Sequence, residues 1–285
     1  MTKKILVTAA TGKVASQLIG QLADKGESVK AAVRNLEKGK GLIRDHVELT
    51  YFDFEKPASF KEAFDGVDRL FLITPVENPQ IDRIVIPLID LAKGKGVRHI
   101  VYMTAMGVDQ MDSAPMRIIE KHIEASGIPY TFLRPSWFMQ NFSTMHVGSI
   151  KNQNAIFVAA GDGKTSFIDI RDIAAVAAAA LTDEKHQNKA YALTGAESLD
   201  HHQVASVISK YSGKNIQYVP ISEEDLVKGL QSFGTPPHLI EMMVMLFRFV
   251  RQGYTGGVSH DVNDVLGRPP ISFDQFAKDH ADCWK

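Results

Sequence analysis

Short apolar runs alternate with stretches of helical spacing through the first half of the chain. The run 5–10 ends in small residues and opens directly into a helical pattern that carries Leu18, Ile19 and Leu22. Runs 29–33 and 47–52 read as a second and a third strand, ending in Arg34-Asn35 and Asp53-Phe54. Ser59-Phe60-Lys61-Glu62 has the form of a capping box opening a helix that Gly66 closes. A fourth strand at 70–73 is followed by a helix at 84–92 that stops around Gly94 and Gly96. A fifth strand at 99–103 leads to a helix at 116–126 closed by Gly127, and a sixth strand lies at 130–133. Such alternation predicts an α/β fold, a doubly wound parallel sheet with ligands at the C-terminal ends of its strands.

Beyond Pro135 the alternation loosens. A strand is expected at 166–170, an alanine-rich helix at 172–181 and a strand at 190–193. Helices are expected at 200–211, 223–230 and 238–251, and a second capping box at Ser272-Phe273-Asp274-Gln275. Gly161-Asp162-Gly163-Lys164 reads as a hairpin-type turn. The expected division is a dinucleotide-binding domain over 1–150 and a smaller lobe over 151–285, with 166–181 returning a strand and a helix to the main sheet. The run 242–247, rich in Met and Phe, suits core packing or the wall of a pocket for planar ligands.

Length, composition and charge narrow the function classes. A chain of 285 residues with 45% hydrophobic and 23% charged residues suits one sizeable α/β domain or a domain with an attached lobe. A net charge of -1 gives no electrostatic reason to expect nucleic acid or an anionic membrane as partner. The single cysteine, Cys283, excludes an internal disulfide and fits a reducing compartment. Run 5–10 is too short for the core of a signal peptide, and 174–181 falls short of a membrane span, so the expectation is a cytoplasmic protein. His201 and His202 are adjacent, diverge on a helix and form no metal pair, so they are expected on a solvated face. No Cys/His cluster, Gly-x-Ser-x-Gly elbow or Gly-Lys-Ser/Thr phosphate loop is present, and no metal is expected.

The candidate chemistry starts at the first turn. A strand running into a helix N-terminus offers backbone N–H groups and the positive end of the helix dipole to a pyrophosphate. Thr8, Ala9, Ala10, Thr11, Gly12, Lys13 and Val14 occupy that turn, with small residues at Ala9, Gly12 and Ala15 and only one glycine among the three.

Several segments, in order and over nearly the whole length, carry a family resemblance. They are Val7-Thr8-Ala9-Ala10-Thr11-Gly12, Val33-Arg34-Asn35 and Ile128-Pro129-Tyr130-Thr131-Phe132-Leu133-Arg134-Pro135, then Phe138-Met139-Gln140-Asn141 and Phe167-Ile168-Asp169-Ile170-Arg171-Asp172-Ile173-Ala174. The chain resembles the NmrA-like branch of the atypical short-chain dehydrogenase/reductases. That resemblance implies a Rossmann fold binding NAD(P), usually NADPH, with a smaller C-terminal lobe covering the substrate. It also implies one of two activities. One group of relatives reduces quinones and triphenylmethane dyes; another senses the dinucleotide without turnover.

Cofactor choice is argued from the second strand. An NAD-preferring site places an acid at its end to hold the ribose 2′-hydroxyl. Here Arg34 stands there, with Asn35 beside it and Lys38 in reach. A guanidinium holds a 2′-phosphate with two parallel bonds, so NADPH is expected over NADH; a solvated arginine at a strand end is the alternative. The resemblance places Asp53 and Phe54 around the adenine; an Asp opening a loop is the alternative. Thr74 and Pro75, Thr104, and Pro135 follow or end the fourth, fifth and sixth strands and complete the expected cofactor contacts.

Standard members of the wider superfamily use a Tyr with a Lys four residues later as proton donor. None of the tyrosines 51, 102, 130, 191, 211, 218 and 254 has Lys at that position. The helix that should carry the pair offers Ser113, Arg117, Glu120 and Lys121 instead. Arg117 is the expected positive group for a nicotinamide ribose or a developing anion; an ion pair with Glu120 on the same helix face is the alternative. Without a tuned donor, hydride transfer favours acceptors that stabilise the added charge or start positive, such as quinones, cationic dyes and iminium ions. Trp137, Phe138, Met139 and Asn141 are expected to line the pocket of such a small, planar substrate. Two classes stay open: an NADPH-dependent oxidoreductase of planar electrophiles, and a non-catalytic NAD(P)-sensing regulatory protein.

Overall fold

In the computed structural model, residues 3–41, 44 and 47–285 are described. They divide into two units, the first formed by 1–135 and 170–193, the second by 136–169 and 194–285.

The first unit is built on a seven-stranded sheet in which every neighbouring pair is parallel. Its strands are β1 (Lys4–Val7), β2 (Val29–Val33), β3 (Glu48–Tyr51), β4 (Val67–Leu72), β5 (His99–Met103), β6 (Tyr130–Pro135) and β8 (Lys189–Leu193), in the order β3-β2-β1-β4-β5-β6-β8. Helices α1 (Lys13–Asp24) and α7 (Ile170–Thr182) pack against each other. So do α4 (Asp82–Gly94) and α5 (Pro115–Ser126). A parallel sheet covered on both faces needs strands apolar on both sides, and β2 is buried at all five positions. Alanines at 174, 177, 178 and 180 of α7 are fully buried, which lets its backbone lie close to its neighbours. The order of strands reverses between β1 and β4, and a crevice at such a reversal is where doubly wound sheets hold their ligands.

The second unit contains α6 (Val147–Gln153), β7 (Ala155–Val158), α8 (His201–Ser212), β9 (Gln217–Pro220), α9 (Glu223–Ser232), α10 (Pro237–Arg251), α11 (Asp261–Leu266) and α12 (Phe273–Asp279). Its core gathers Phe142, Phe167, Phe273, Phe276 and Trp284. The Trp284 indole donates to the Phe142 carbonyl at 2.9 Å, so the ring is buried without an unsatisfied donor.

Four expectations are corrected. Residues 166–170 form no strand of the main sheet; only isolated bridges from Thr165 and Ile168 occur there, within the second unit. The seventh strand is β8, and from 166–181 only α7 belongs to the first unit. At the first predicted capping box, Ser59 already has helical backbone angles and caps nothing; its hydroxyl exchanges hydrogen bonds with the backbone of Asp53 and Lys56. At the second, Ser272 accepts from the Gln275 amide, but the Gln275 side chain goes to Asp279. The turn 161–164 joins no hairpin, because β7 pairs in parallel with β9. Gly163 is needed there for another reason: a Cβ would lie 2.2 Å from the carbonyl oxygen of Val250.

Candidate functional site

At the end of β1 the chain turns through Ala9, whose φ of 50° is left-handed and strained for a residue with a Cβ. That conformation brings the Gly12 amide to the Ala9 carbonyl at 2.7 Å, and a Cβ on Gly12 would stand 3.0 Å from the same oxygen. Gly12 is the N-cap of α1. No side chain caps this helix and no acid lies in its first turn, so its positive end is left to a ligand. Thr11, Gly12 and Lys13 are exposed on the turn, whereas Ala10 and Val14 are buried beneath it. Thr8 anchors the start of the turn from below. It is fully buried, its hydroxyl donates to the carbonyls of Phe71 and Ile73 and accepts from the Ile73 amide, and it thereby ties β1 to the end of β4.

Arg34 follows β2 directly, exposed, and among the described residues no carboxylate pairs with it. The short helix α2 (Leu36–Lys40) starts at once: Asn35 caps it by accepting from the Lys38 amide at 3.0 Å. Gly39 lets this helix lie on the strands, since a Cβ there would be 3.2 Å from Val33 Cγ2 and 3.3 Å from Leu49 Cδ1. The Asn35 carbonyl group of the side chain is thus occupied, while Arg34 and Lys38 remain exposed cations at the strand end. At the end of β3, Asp53 is half-buried and accepts the Glu55 amide through one carboxylate oxygen. Phe54 meets Phe52 edge-on, with ring centres 4.9 Å apart. Thr74 and Pro75 follow β4; the Thr74 hydroxyl shares a 3.2 Å hydrogen bond with the buried Tyr102, whose phenol burial pushes well above its ordinary pKa. These positions gather at the C-terminal edge of one sheet.

Arg117 does not stand free for a ligand. Its guanidinium donates to Glu120 at 2.9 Å and to Glu124 at 3.0 Å, and its Nε is buried without a partner among the described residues. Glu120, fully buried, also receives the Thr104 hydroxyl at 3.0 Å and Arg134 through two parallel bonds of 3.1 and 2.8 Å. Arg134 reaches Asp109 at 3.3 Å as well. The expected catalytic Arg117 is therefore one arm of a buried ion cluster, the alternative weighed from the sequence but turned inward. Lys121 pairs outward with Asp112 at 2.6 Å. Spacing alone hid the centre of this cluster. Its signal was Arg134 on a buried parallel strand, which demands a buried carboxylate.

In the second unit, Trp137 lies half-buried against Phe247, ring centres 5.1 Å apart, with Met243 packed on the same core. Met139 is buried, and Phe138 is half-buried with its backbone bridged to Ile168. Asn141, also half-buried, closes the short turn that begins at Met139. Ser136, which sequence reading passed over, is buried with a hydroxyl lacking a partner among the described residues. His201 overturns its expectation: it is 4% exposed, packed against Phe142, Phe167 and Tyr218, and burial lowers its pKa to about 4. Only His202 is solvated.

Comparison with known proteins places this geometry. The NmrA-like family matches residues 1–267. The NAD(P)H azoreductase of Xenophilus azovorans is 34% identical over 283 residues, covering 97% of this chain and 98% of the azoreductase. Among solved structures, the Citrobacter sp. triphenylmethane reductase complexed with NADP(H) is similar with a TM-score of 0.86 at 27% identity, over 97% of this chain and 99% of that one. The NADPH-dependent quinone oxidoreductase of Escherichia coli, complexed with NADPH, is similar with a TM-score of 0.86 at 28% identity, over 96% and 99%.

Proposed function

The chain belongs to the NmrA-like family, and on that premise we propose that it is an NADPH-dependent oxidoreductase delivering a hydride to a small planar electrophile of quinone, azo, cationic-dye or imine type. The coarser part is plain: it is an oxidoreductase using a nicotinamide dinucleotide, like the relatives that cover it end to end. The finer part is carried by one observation, the exposed Arg34, with no carboxylate paired to it among the described residues, beside a sheet edge whose first helix has no side-chain cap and no acid in its first turn.

NADPH supplies the hydride in this reading. The protein's residues hold and orient it: the α1 N-terminus faces the pyrophosphate, and Arg34 with Lys38 faces the 2′-phosphate. Trp137, Phe138 and Asn141, half-buried in the second unit, stay the candidates to contact a planar acceptor, whereas Met139 is buried in that unit's core. No tyrosine has a lysine four residues later, the spacing that would supply a proton to a ketone oxygen. Acceptors that need no protein proton in the hydride step, a cationic dye above all, are the ones this machinery suits. A stopped-flow or plate assay of NADPH oxidation against quinones, azo dyes, triphenylmethane dyes and imines tests the proposal. Turnover of at least one planar class, with simple ketones inert, is expected. Tight NADPH binding without turnover of any acceptor would assign the chain to dinucleotide sensing instead.

A further inference from the structure

We propose that Glu120 is the positioning residue of the nicotinamide half of the site, acting through Thr104 and the end of β6, an inference that rests on the cofactor reading above. With the 2′-phosphate at Arg34 after β2 and the pyrophosphate at the start of α1, the remaining half of the dinucleotide runs the other way along the sheet edge, past β4, β5 and β6. Thr104 directly follows β5 and Pro135 ends β6. The same carboxylate bonds Thr104 and Arg134, the residue before Pro135.

Glu120 is fully buried and every bond it receives comes from this edge or its own helix. Oε1 accepts the Thr104 hydroxyl and Arg134 Nε; Oε2 accepts Arg134 and Arg117. The paired bonds from Arg134 fix the plane of the guanidinium, and with it the residue preceding Pro135. The Thr104 amide in turn donates to the Leu133 carbonyl at 2.8 Å, and the Met106 amide to the Pro135 carbonyl at 3.0 Å, so the loop after β5 moves with the end of β6. Glu120 touches no ligand; it sets where the groups that do are placed. A glutamine cannot replace it, because its amide nitrogen would face donors of Arg117 and Arg134 where an acceptor is required. The two guanidiniums would then lose the buried carboxylate they share and keep only the partly exposed Glu124 and Asp109 as counter-charges.

The test uses the full chain and the variants Glu120→Gln, Thr104→Val and their combination. Three quantities are read: kcat and KM with a soluble quinone, Kd for NADPH, and the emission yield of saturating bound NADPH. The last reports the nicotinamide's surroundings without requiring turnover. Misplacing the hydride by a fraction of an ångström should lower kcat by roughly tenfold to a hundredfold in either single variant, with KM and Kd changed less. Emission yield should fall in both. Since Glu120 acts through Thr104, the combined variant should be no worse than the worse single one. Unchanged kcat and emission in Thr104→Val, or additive losses, would overturn the proposal. Thr104→Val is nearly isosteric and keeps the ion cluster, so it decides the matter even if Glu120→Gln fails to fold. Should the wild type bind NADPH yet turn over no planar acceptor of any class, the functional reading fails, whereas the emission comparison still decides the role of Glu120.

Discussion

Replacing Arg34 by alanine isolates the contribution of the 2′-phosphate. Arg34 is exposed and pairs with no carboxylate among the described residues, so its loss should cost the fold nothing measurable. Asn35 carries no charge and spends its side-chain oxygen on the Lys38 amide, so only the more flexible Lys38 is left to offset part of the loss. A charge-assisted hydrogen bond contributes about 1.5–3 kcal/mol, which at 1.4 kcal/mol per decade corresponds to a roughly 10- to 150-fold weaker NADPH complex. NADH has no 2′-phosphate, and its affinity should stay within about twofold. Fluorescence titration of both dinucleotides against wild type and Arg34→Ala measures this directly, with melting temperature as control. Salt should weaken NADPH binding more in the wild type than in the variant, because the contact is between charges at an exposed site. Equal losses for NADPH and NADH, or no loss for either, would refute the assignment of Arg34 and the cofactor preference resting on it.

Two other perturbations follow. Ala9→Gly should relieve a left-handed alanine that costs about 1–2 kcal/mol, offset by about 0.4–1 kcal/mol of extra chain entropy when unfolded, so calorimetry should show a melting temperature about 1–2 °C higher; a lower one contradicts the strain. His99 and His201 are buried at 3% and 4% exposure with pKa values lowered by burial to about 4 from 6.5. The unfolded chain takes up their protons first as pH falls. Their stabilising neutrality is therefore complete above pH 6.5 and is lost down to about pH 4, by up to about 3 kcal/mol each. Urea midpoints should drop between pH 7 and 4.5, with a shallower slope in His201→Phe; a flat profile rules this out.

Where the sequence could be read and where it could not has a physical basis. Strands 29–33 and 99–103 coincide with their predicted bounds because parallel strands buried on both faces are mainly apolar, broken here only by the buried Lys30 and His99. Gly127 marked the end of α5 because only a left-handed residue, φ 79°, closes it there. The first turn and Arg34 were legible for a similar reason: backbone geometry and a missing acid are local properties. Glu120 was not, since its partners Thr104 and Arg134 lie 16 and 14 residues away and meet it only through packing. The same holds for His201, whose polar sequence neighbours suggest solvent while Phe142 and Phe167 bury it. Strand β7 escaped because its four residues, Ala155–Val158, pair with Gln217–Pro220, a distant segment lacking a clear apolar pattern.

Hydride delivery to a planar electrophile is tested most directly by isotope transfer. NADPH deuterated at C4 of the nicotinamide, in each of its two stereoisomers, is incubated with the protein and a cationic triphenylmethane dye, and the colourless product is analysed by mass spectrometry. In that reaction the hydride joins the central carbon of the dye cation, the dinucleotide leaves oxidised, and no proton from the protein is consumed. Deuterium on the central carbon from one stereoisomer only is the predicted result. Product without deuterium from either isomer, or dinucleotide left unoxidised with every planar acceptor, would contradict it.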